Sequence, residues 1–279
     1  MSDLDALLAE VRPELHRYCA RMTGSVIDGE DVVQDVLARA LEEATATGAP
    51  PSRPWIFRVA HHRAIDFTRR YERRMSVPMD DLEEGSNPED AIAQREAVAL
   101  AVSRFIELPP LPRACVILKD VLGHSVAELV EMLGSTEPAV KAALHRGRER
   151  LRQLAPVPAE PPRGESSPAL ARYAQLFNAR DWDGIRALLA EGVELDLVNK
   201  ARLKGRPDVS HYFNRYQALD GWRVAPAWLE GREVLAVWTS AASKWPDYFI
   251  VLGHEDGRVT TIRDFRYVDY VARDAEITL

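Results

Sequence analysis

Residues 125–152, SVAELVEMLGSTEPAVKAALHRGRERLR, read as helix, turn, helix. Val126, Leu129, Val130 and Leu133 recur at three- and four-residue spacing and form an apolar stripe. Gly134 suits the tight turn that follows, Ser135 is placed to cap a second helix, and Pro138 falls in that helix's first turn, where it is tolerated. On the second helix Val140, Leu144 and Leu151 make the buried side. Lys141, His145, Arg148 and Arg152 lie together on another side, where a recognition helix faces the major groove and its phosphates. The alternative is a helical hairpin that only packs.

Upstream of this stretch everything reads as helix. Leu4, Leu7, Leu8, Val11, Leu15 and Tyr18 keep helical spacing, as do Val32, Val33, Val36, Leu37 and Ala40, with Gly24 and Gly29 punctuating the interval. Between Trp55 and Arg74, Ile56, Ala60, Ala64 and Phe67 fall on one helix face. Arg58, His62, Arg69 and Arg73 fall opposite, interrupted by Ile65. A basic helix face is the usual footprint of phosphate contact, although ordinary solvated helices share it.

The formal charge of the 279 residues is −7, from 36 Lys plus Arg and 43 Asp plus Glu, a sum that by itself argues against nucleic acid. The signs are sorted, however. Residues 28–43 hold six acids and one base, residues 53–74 hold seven arginines and two acids, and residues 141–152 hold five bases and one acid. The stretch MSVPMDDLEEGSNPED (75–90) is acidic and without apolar period, and APVPAEPPRGESSP (155–168) is richer still in proline. Both read as linkers. Two distant cysteines, Cys19 and Cys115, exclude a disulfide framework and a Cys-rich zinc site. No apolar run approaches a transmembrane span and the acidic start lacks a signal peptide's basic flank, so a cytoplasmic protein with no membrane contact is expected.

After the second linker the pattern changes to two or three helices (169–178, 183–190 and one through 209–216). They accompany strand-like runs at 193–198, 222–229, 233–241, 248–253 and 259–268. An α+β domain with an antiparallel sheet is expected. Five of the six tryptophans (182, 222, 228, 238 and 245) fall in it.

The order of the helical blocks resembles an extracytoplasmic-function (ECF) sigma factor of bacterial RNA polymerase. GEDVVQDVLARAL (29–41) is similar to the family's helix that docks on the β′ clamp, which implies Asp31, Gln34 and Asp35 as core-polymerase contacts. WIFRVAHHRAIDFTRR (55–70) is similar to its promoter −10 helix, and residues 44–53 sit where its base-capturing loop would be. LPPLPRACVILKDVLG (108–123) with the helix-turn-helix resembles the domain that reads the −35 element and meets the β flap. The implied DNA contacts are Arg58, His62, Arg63, Arg69, Arg70, Arg73, Lys141, His145 and Arg148. His62 stands where many members have Asn, and Ala142 and Ala143 where many have Ser and Arg. An alanine meets a thymine methyl but cannot make arginine's bidentate guanine contact, so the −35 preference does not carry over.

The final third resembles the SnoaL-like group, a cystatin-like cone in which a curved sheet wraps helices around a pocket. YAQLFNARDW (173–182) is similar to its opening helices. In sigma factors with such a tail, the tail is thought to replace a separate anti-sigma protein. The glycine-rich motif some members place after the first strand is absent from VNKARL (198–203). The expected architecture is therefore multidomain. Two all-α sigma domains occupy 1–75 and 93–155, the second a helix-turn-helix; linkers occupy 76–92 and 156–168, and a SnoaL-like α+β cone occupies 169–279.

Cones of this type also host isomerases and cyclases, with an Asp or His proton shuttle in an apolar pocket. Candidate pocket groups are Asp196, Asn199, His211, Asp264 and Tyr267, and an unknown small ligand is the expected occupant if there is one. No nucleophile elbow, HExxH, GxGxxG or P-loop occurs, and no metal, cofactor or catalytic residue is expected. The leading expectation is a promoter-directing factor regulated by its own tail. The alternatives are an isomerase or cyclase with an accessory DNA-binding half, and an operator-binding repressor.

Overall fold

The computed structural model describes residues 3–75, 102–154, 166–217 and 221–279. The acidic linker at 76–92 and nearly all of the proline-rich one lie outside the described residues. The chain divides into two compact units, Met1–Val157 and Pro158–Leu279, each with its own hydrophobic cluster.

The N-terminal unit opens with three long helices, α1 (Asp3–Thr23), α2 (Val26–Thr47) and α3 (Arg53–Met75). Gly24, at φ 77°, makes the turn between the first two, and Ser25 caps α2 by accepting from the Asp28 N–H at 3.1 Å. Gly29, expected as punctuation, lies inside α2. A Cβ there would come within 2.5 Å of the Ala20 backbone, so this glycine marks where α1 and α2 touch and not where a helix ends.

A short 3-10 turn (Val102–Glu107) leads into α4 (Pro110–Val116), which continues as a π turn over Ile117–Val121. Then come α5 (Val126–Leu133) and α6 (Glu137–Gln153), the predicted helix-turn-helix. Ser125 and Glu128 form a capping box on α5. Gly134 adopts φ 60° and its N–H closes α5 on the Val130 carbonyl. The N–H of Ser135 reaches the same carbonyl at 3.2 Å. Ser135 therefore belongs to the end of α5, and Thr136, not Ser135, caps α6 by accepting from Ala139 N–H.

One cluster of buried side chains runs through both sets of helices, from Tyr18 and Phe57 to Phe105, Ile117, Leu129 and Leu144. Some of the polar groups inside it are matched by partners from other helices. Arg113, 1% exposed, donates to the carbonyls of Met22 (2.7 Å), Ile106 (2.9 Å) and Leu108 (2.7 Å). Tyr18 Oη lies 2.9 Å from Nδ1 of His61, whose pKa burial pushes down to about 4. Both cysteines are buried free thiols, and burial pushes Cys115 up to about 12.

Helices α4 and α6 meet at Gly147, where an added Cβ would stand 2.6 Å from Val116 Cγ2 and 3.0 Å from the Pro112 carbonyl. Alanine normally improves a helix interior by about 0.5–1 kcal/mol over glycine. Here Gly147→Ala is expected to destabilise the unit, because overpacking costs about 1–3 kcal/mol. Urea unfolding followed by helical circular dichroism checks the sign; a more stable variant would refute the close approach.

The C-terminal unit begins with α7 (Pro168–Asn178) and α8 (Trp182–Leu188), capped by Ser167 and Asp181. Next come β1 (Leu189–Leu197), β2 (Ala201–Lys204), α9 (Arg206–Gln217), β3 (Arg223–Leu229), β4 (Arg232–Trp238), β5 (Tyr248–Glu255) and β6 (Arg258–Asp264). A short α10 (Asp269–Arg273) and β7 (Ile277–Thr278) close the chain. The seven strands form one sheet in the order β2-β1-β6-β5-β4-β3-β7. Helices α7 to α9 pack Tyr173, Phe177, Trp182, Phe213 and Tyr216 with Leu195, Val237, Ile250 and Ile262 of the strands. The α+β expectation holds, with corrections at the margins. The second helix stops at Leu188, not Ala190, because Leu189 already pairs with Val259. The sheet is not wholly antiparallel: β1 and β6 run parallel, since the chain between them returns through α9 and β3 to β5. Strands β2 and β7 and helix α10 were not expected.

Candidate nucleic-acid interface

Helix α2 turns Val32, Val33, Val36, Leu37 and Ala40 inward. Asp31, Gln34 and Asp35 follow at i, i+3 and i+4 on the outer side, Asp35 exposed and the other two half-buried. Leu41, 47% exposed, extends this side and was not singled out from the sequence.

Helix α3 buries Ile56, Phe57, Ala60 and Ala64, while Arg58, His62, Arg69 and Arg70 are exposed and Arg63 is half-buried. Arg73 lies in the last turns of α3, and its side chain is outside the described residues. The cations are not equivalent. The Arg58 guanidinium donates to the Glu131 carbonyl of α5 at 2.6 Å, and Arg70 Nε to its own helix at Asp66. Between the end of α2 and the start of α3 lies a groove of about 420 Å³. Its lining includes Arg39, Glu42, Trp55, His62, Arg63 and Asp66. Trp55 and Arg39 were missed from sequence; an aromatic opening a cationic helix was the available signal.

On α6 the three candidate contacts part company. Lys141 is open to solvent and pairs with Glu137 at 2.7 Å, one turn earlier. His145 faces Glu149 at 3.4 Å. Arg148 turns toward the π turn, where its Nε and terminal nitrogen donate to the two oxygens of buried Asp120 at 2.9 and 2.7 Å. That bidentate pair ties α6 to α4. Ala143 is fully buried and so cannot offer its methyl to a base; Ala142 is half-exposed. Arg146 and Arg150, not among the candidates, are half-exposed on the same helix.

In the C-terminal unit only Asp264 of the five candidate pocket groups is interior. Its carboxylate accepts from the Tyr212 hydroxyl, from the Tyr216 hydroxyl at 3.1 Å and from the Arg266 N–H at 2.9 Å. Tyr212 and Tyr216 are 2.5 Å apart, and Tyr248 lies 3.4 Å from Tyr216. Burial raises the Asp264 pKa above its ordinary value, and the hydrogen bonds from Tyr212, Arg266 and Tyr216 reduce the shift without cancelling it. The three phenols are raised by burial and by Asp264's charge. They were missed from sequence, although Tyr212 and Tyr216 are one turn apart on a predicted helix. The other candidates lie outside: Asp196 between Arg202 (3.5 Å) and Arg263 (3.6 Å), and Asn199 in the β1–β2 turn at φ 65°. His211 is bonded to its own helix at Pro207, and Tyr267 is 37% exposed. Among the described residues no cluster fit for a metal ion is present, and no helix is long and apolar enough to cross a membrane.

Comparison with known proteins matches residues 7–74 to Sigma-70 region 2 and residues 104–151 to Sigma-70 region 4. The chain is 34% identical over 152 residues to the ECF RNA polymerase sigma factor SigL of Mycobacterium tuberculosis, across 53% of this chain and 85% of SigL. It is 30% identical over 212 residues to SigG of the same organism, across 65% of this chain and only 57% of SigG. Among solved structures, that of the Mycobacterium tuberculosis extracytoplasmic function sigma factor SigJ aligns over 94% of this chain and 95% of its own. The identity is 19% and the TM-score 0.38.

Proposed function

The chain belongs to the ECF sigma factors of RNA polymerase, and we propose that it directs core polymerase to promoters under the control of its own C-terminal domain. The observation that carries this reading is the pairing, in one helical unit, of an exposed cationic face on α3 with a capped helix-turn-helix whose second helix presents Lys141. Asp31, Gln34, Asp35 and the neighbouring exposed Leu41 form a mixed acidic and apolar surface suited to a protein partner, the β′ clamp. The helix-turn-helix domain would meet the β flap. Arg63, His62, Arg69 and Arg70, with the groove beside Trp55, suit single-stranded promoter DNA, where a cationic channel and an aromatic face act together. On α6, Lys141 and His145 are the candidates for groove contact, and Arg148 serves the fold through Asp120. The protein acts by binding in this reading, not by catalysis.

Net charge supports the same division. The acids of α2 serve a protein partner while the cations of α3 and α6 serve DNA, so a chain that is acidic in sum still carries two basic faces.

The deciding experiment is co-purification with core polymerase followed by transcription of a promoter library, with the full chain and with a chain ended after Ala155. Capture of core enzyme and enrichment of defined promoters are expected, with promoter use changed when the tail is absent. No capture would end the sigma reading, and identical promoter use would end the regulatory one. A second reading, turnover of a small apolar carbonyl compound by the tail, is favoured only by the Asp264–tyrosine cluster. It predicts activity that disappears in Asp264→Asn.

A further inference from the structure

The helix-turn-helix sits directly on the α1–α3 bundle. Arg58 of α3 reaches the Glu131 carbonyl at the end of α5, Arg113 of α4 reaches the Met22 carbonyl at the end of α1, and Leu129 and Met132 share the bundle's core. On the sigma reading, which this inference deepens, the same two elements must meet promoter sites about 25 base pairs apart, or roughly 85 Å at 3.4 Å per step. Arg58 and Glu131, in contact here, cannot span that distance. The unit has to open, and whatever holds the contact closed sets the threshold.

Most of that contact is indifferent to pH. His124, just before the Ser125 cap, is the exception. It is 8% exposed, with Nε2 2.6 Å from Glu14 Oε1 of α1 and Nδ1 3.6 Å from Glu128 Oε1 of α5. The Phe57 ring of α3 covers its edge at 5.7 Å. A neutral imidazole donates from one nitrogen only, so a ring flanked by two carboxylates is fully matched only as imidazolium. Both carboxylates are anchored. Arg53 of α3 pairs with Glu14, Arg17 adds its charge, and the Ser125 backbone and hydroxyl hold Glu128.

We infer that His124 is a proton-dependent latch between the two DNA-binding parts of the chain, closed when the ring is charged and released as the pH rises. The direction agrees with the local electrostatics. The hydrogen bond to Glu14 raises His124 above the ordinary histidine value, outweighing burial. Burial raises Glu14, but the His124 bond and the charges of Arg53, His124 and Arg17 hold it lower overall. A group that binds its proton more tightly when docked favours docking fully below its free pKa of about 6.5, and loses that contribution as pH climbs through the docked pKa. His61, nearby and pushed down by burial, has the opposite sign and loosens the bundle on acidification, so the two are separable.

The test uses the full chain with dyes at Thr45→Cys on α2 and Gln153→Cys at the end of α6. Both sites are exposed, while Cys19 and Cys115 are buried. Energy transfer is read from pH 6 to 9, with far-ultraviolet circular dichroism to confirm that the helices persist. The open-to-closed ratio is expected to rise with pH, about tenfold for each unit by which docking raises His124. His124→Gln, which keeps a donor but no charge, should flatten the response, as should Glu14→Gln. Energy transfer that ignores pH in the unsubstituted chain, or an unchanged response in both variants, would overturn the latch. The measurement needs neither polymerase nor promoter, so its failure is distinct from failure of the sigma reading.

Discussion

An Arg12→Ala chain is expected to lose about 3–5 kcal/mol of stability in its N-terminal unit, the usual cost of stripping one partner from a buried ion pair. Arg12 of α1 pairs with Glu30 of α2, whose side chain is fully buried and whose charge adds to the effect of burial in raising the thiol pKa of nearby Cys19. Removing the guanidinium leaves a carboxylate inside the helix crossing that Gly29 makes close. Replacing both partners, as Arg12→Met with Glu30→Leu, should restore most of the loss, since an apolar pair has no charges to desolvate. Chemical unfolding followed by helical circular dichroism measures both. A single variant within about 1 kcal/mol of the parent would show that the pair is solvated in solution. The exposed Lys141–Glu137 pair, screened by water, should be silent in the same assay.

The second large effect belongs to Asp264. Asp264→Ala removes the acceptor shared by the Tyr212 and Tyr216 hydroxyls and the Arg266 N–H. Each buried donor left unmatched costs about 1–3 kcal/mol, so a net loss of roughly 2–4 kcal/mol is expected after the phenols re-pair with one another. Asp264→Asn retains an acceptor and has no charge to bury, and should stay near the parent at neutral pH. The pH dependence carries a definite sign. The Asp264 pKa lies above its ordinary value of 3.8, so the folded state keeps a proton that the unfolded chain has already released. Stability from this group is therefore greatest in acid and falls as pH rises through that window, and Asp264→Asn should abolish the slope. Five of six tryptophans lie in this unit, so fluorescence of the full chain reports it. A slope unchanged in Asp264→Asn would place its origin elsewhere.

Much of the helical half was legible because its signals are local. A glycine at a tight turn and a three-four apolar period need only neighbours along the chain, and Gly134 and Leu129 stand where those rules put them. Errors came where a residue answers to something distant. Gly29 looks like a break but is a helix crossing, and Ala143 looks free but is core. Arg148 looks like a DNA cation but is held by Asp120 from the π turn of α4. In the tail, strand runs were visible in the sequence, whereas the parallel pairing of β1 with β6 joins residues as far apart as Leu189 and Val259 and leaves no local mark. Of five polar candidates chosen there by residue type, one is interior, because burial at a strand end depends on which elements close over it.

What the sequence by itself determined is the order of the parts: an acidic-faced helix, a basic-faced helix, a helix-turn-helix and an α+β tail, since periodicity, caps and charge blocks are properties of adjacent residues. The tertiary structure alone decided which charges are available to a partner. Arg58 and Arg148 read as surface cations in the sequence, yet each closes on a carbonyl or carboxylate from another part of the unit, as do Arg113 and His124, which the sequence does not mark. A charged group's environment is set by the folded packing around it, and that packing is non-local.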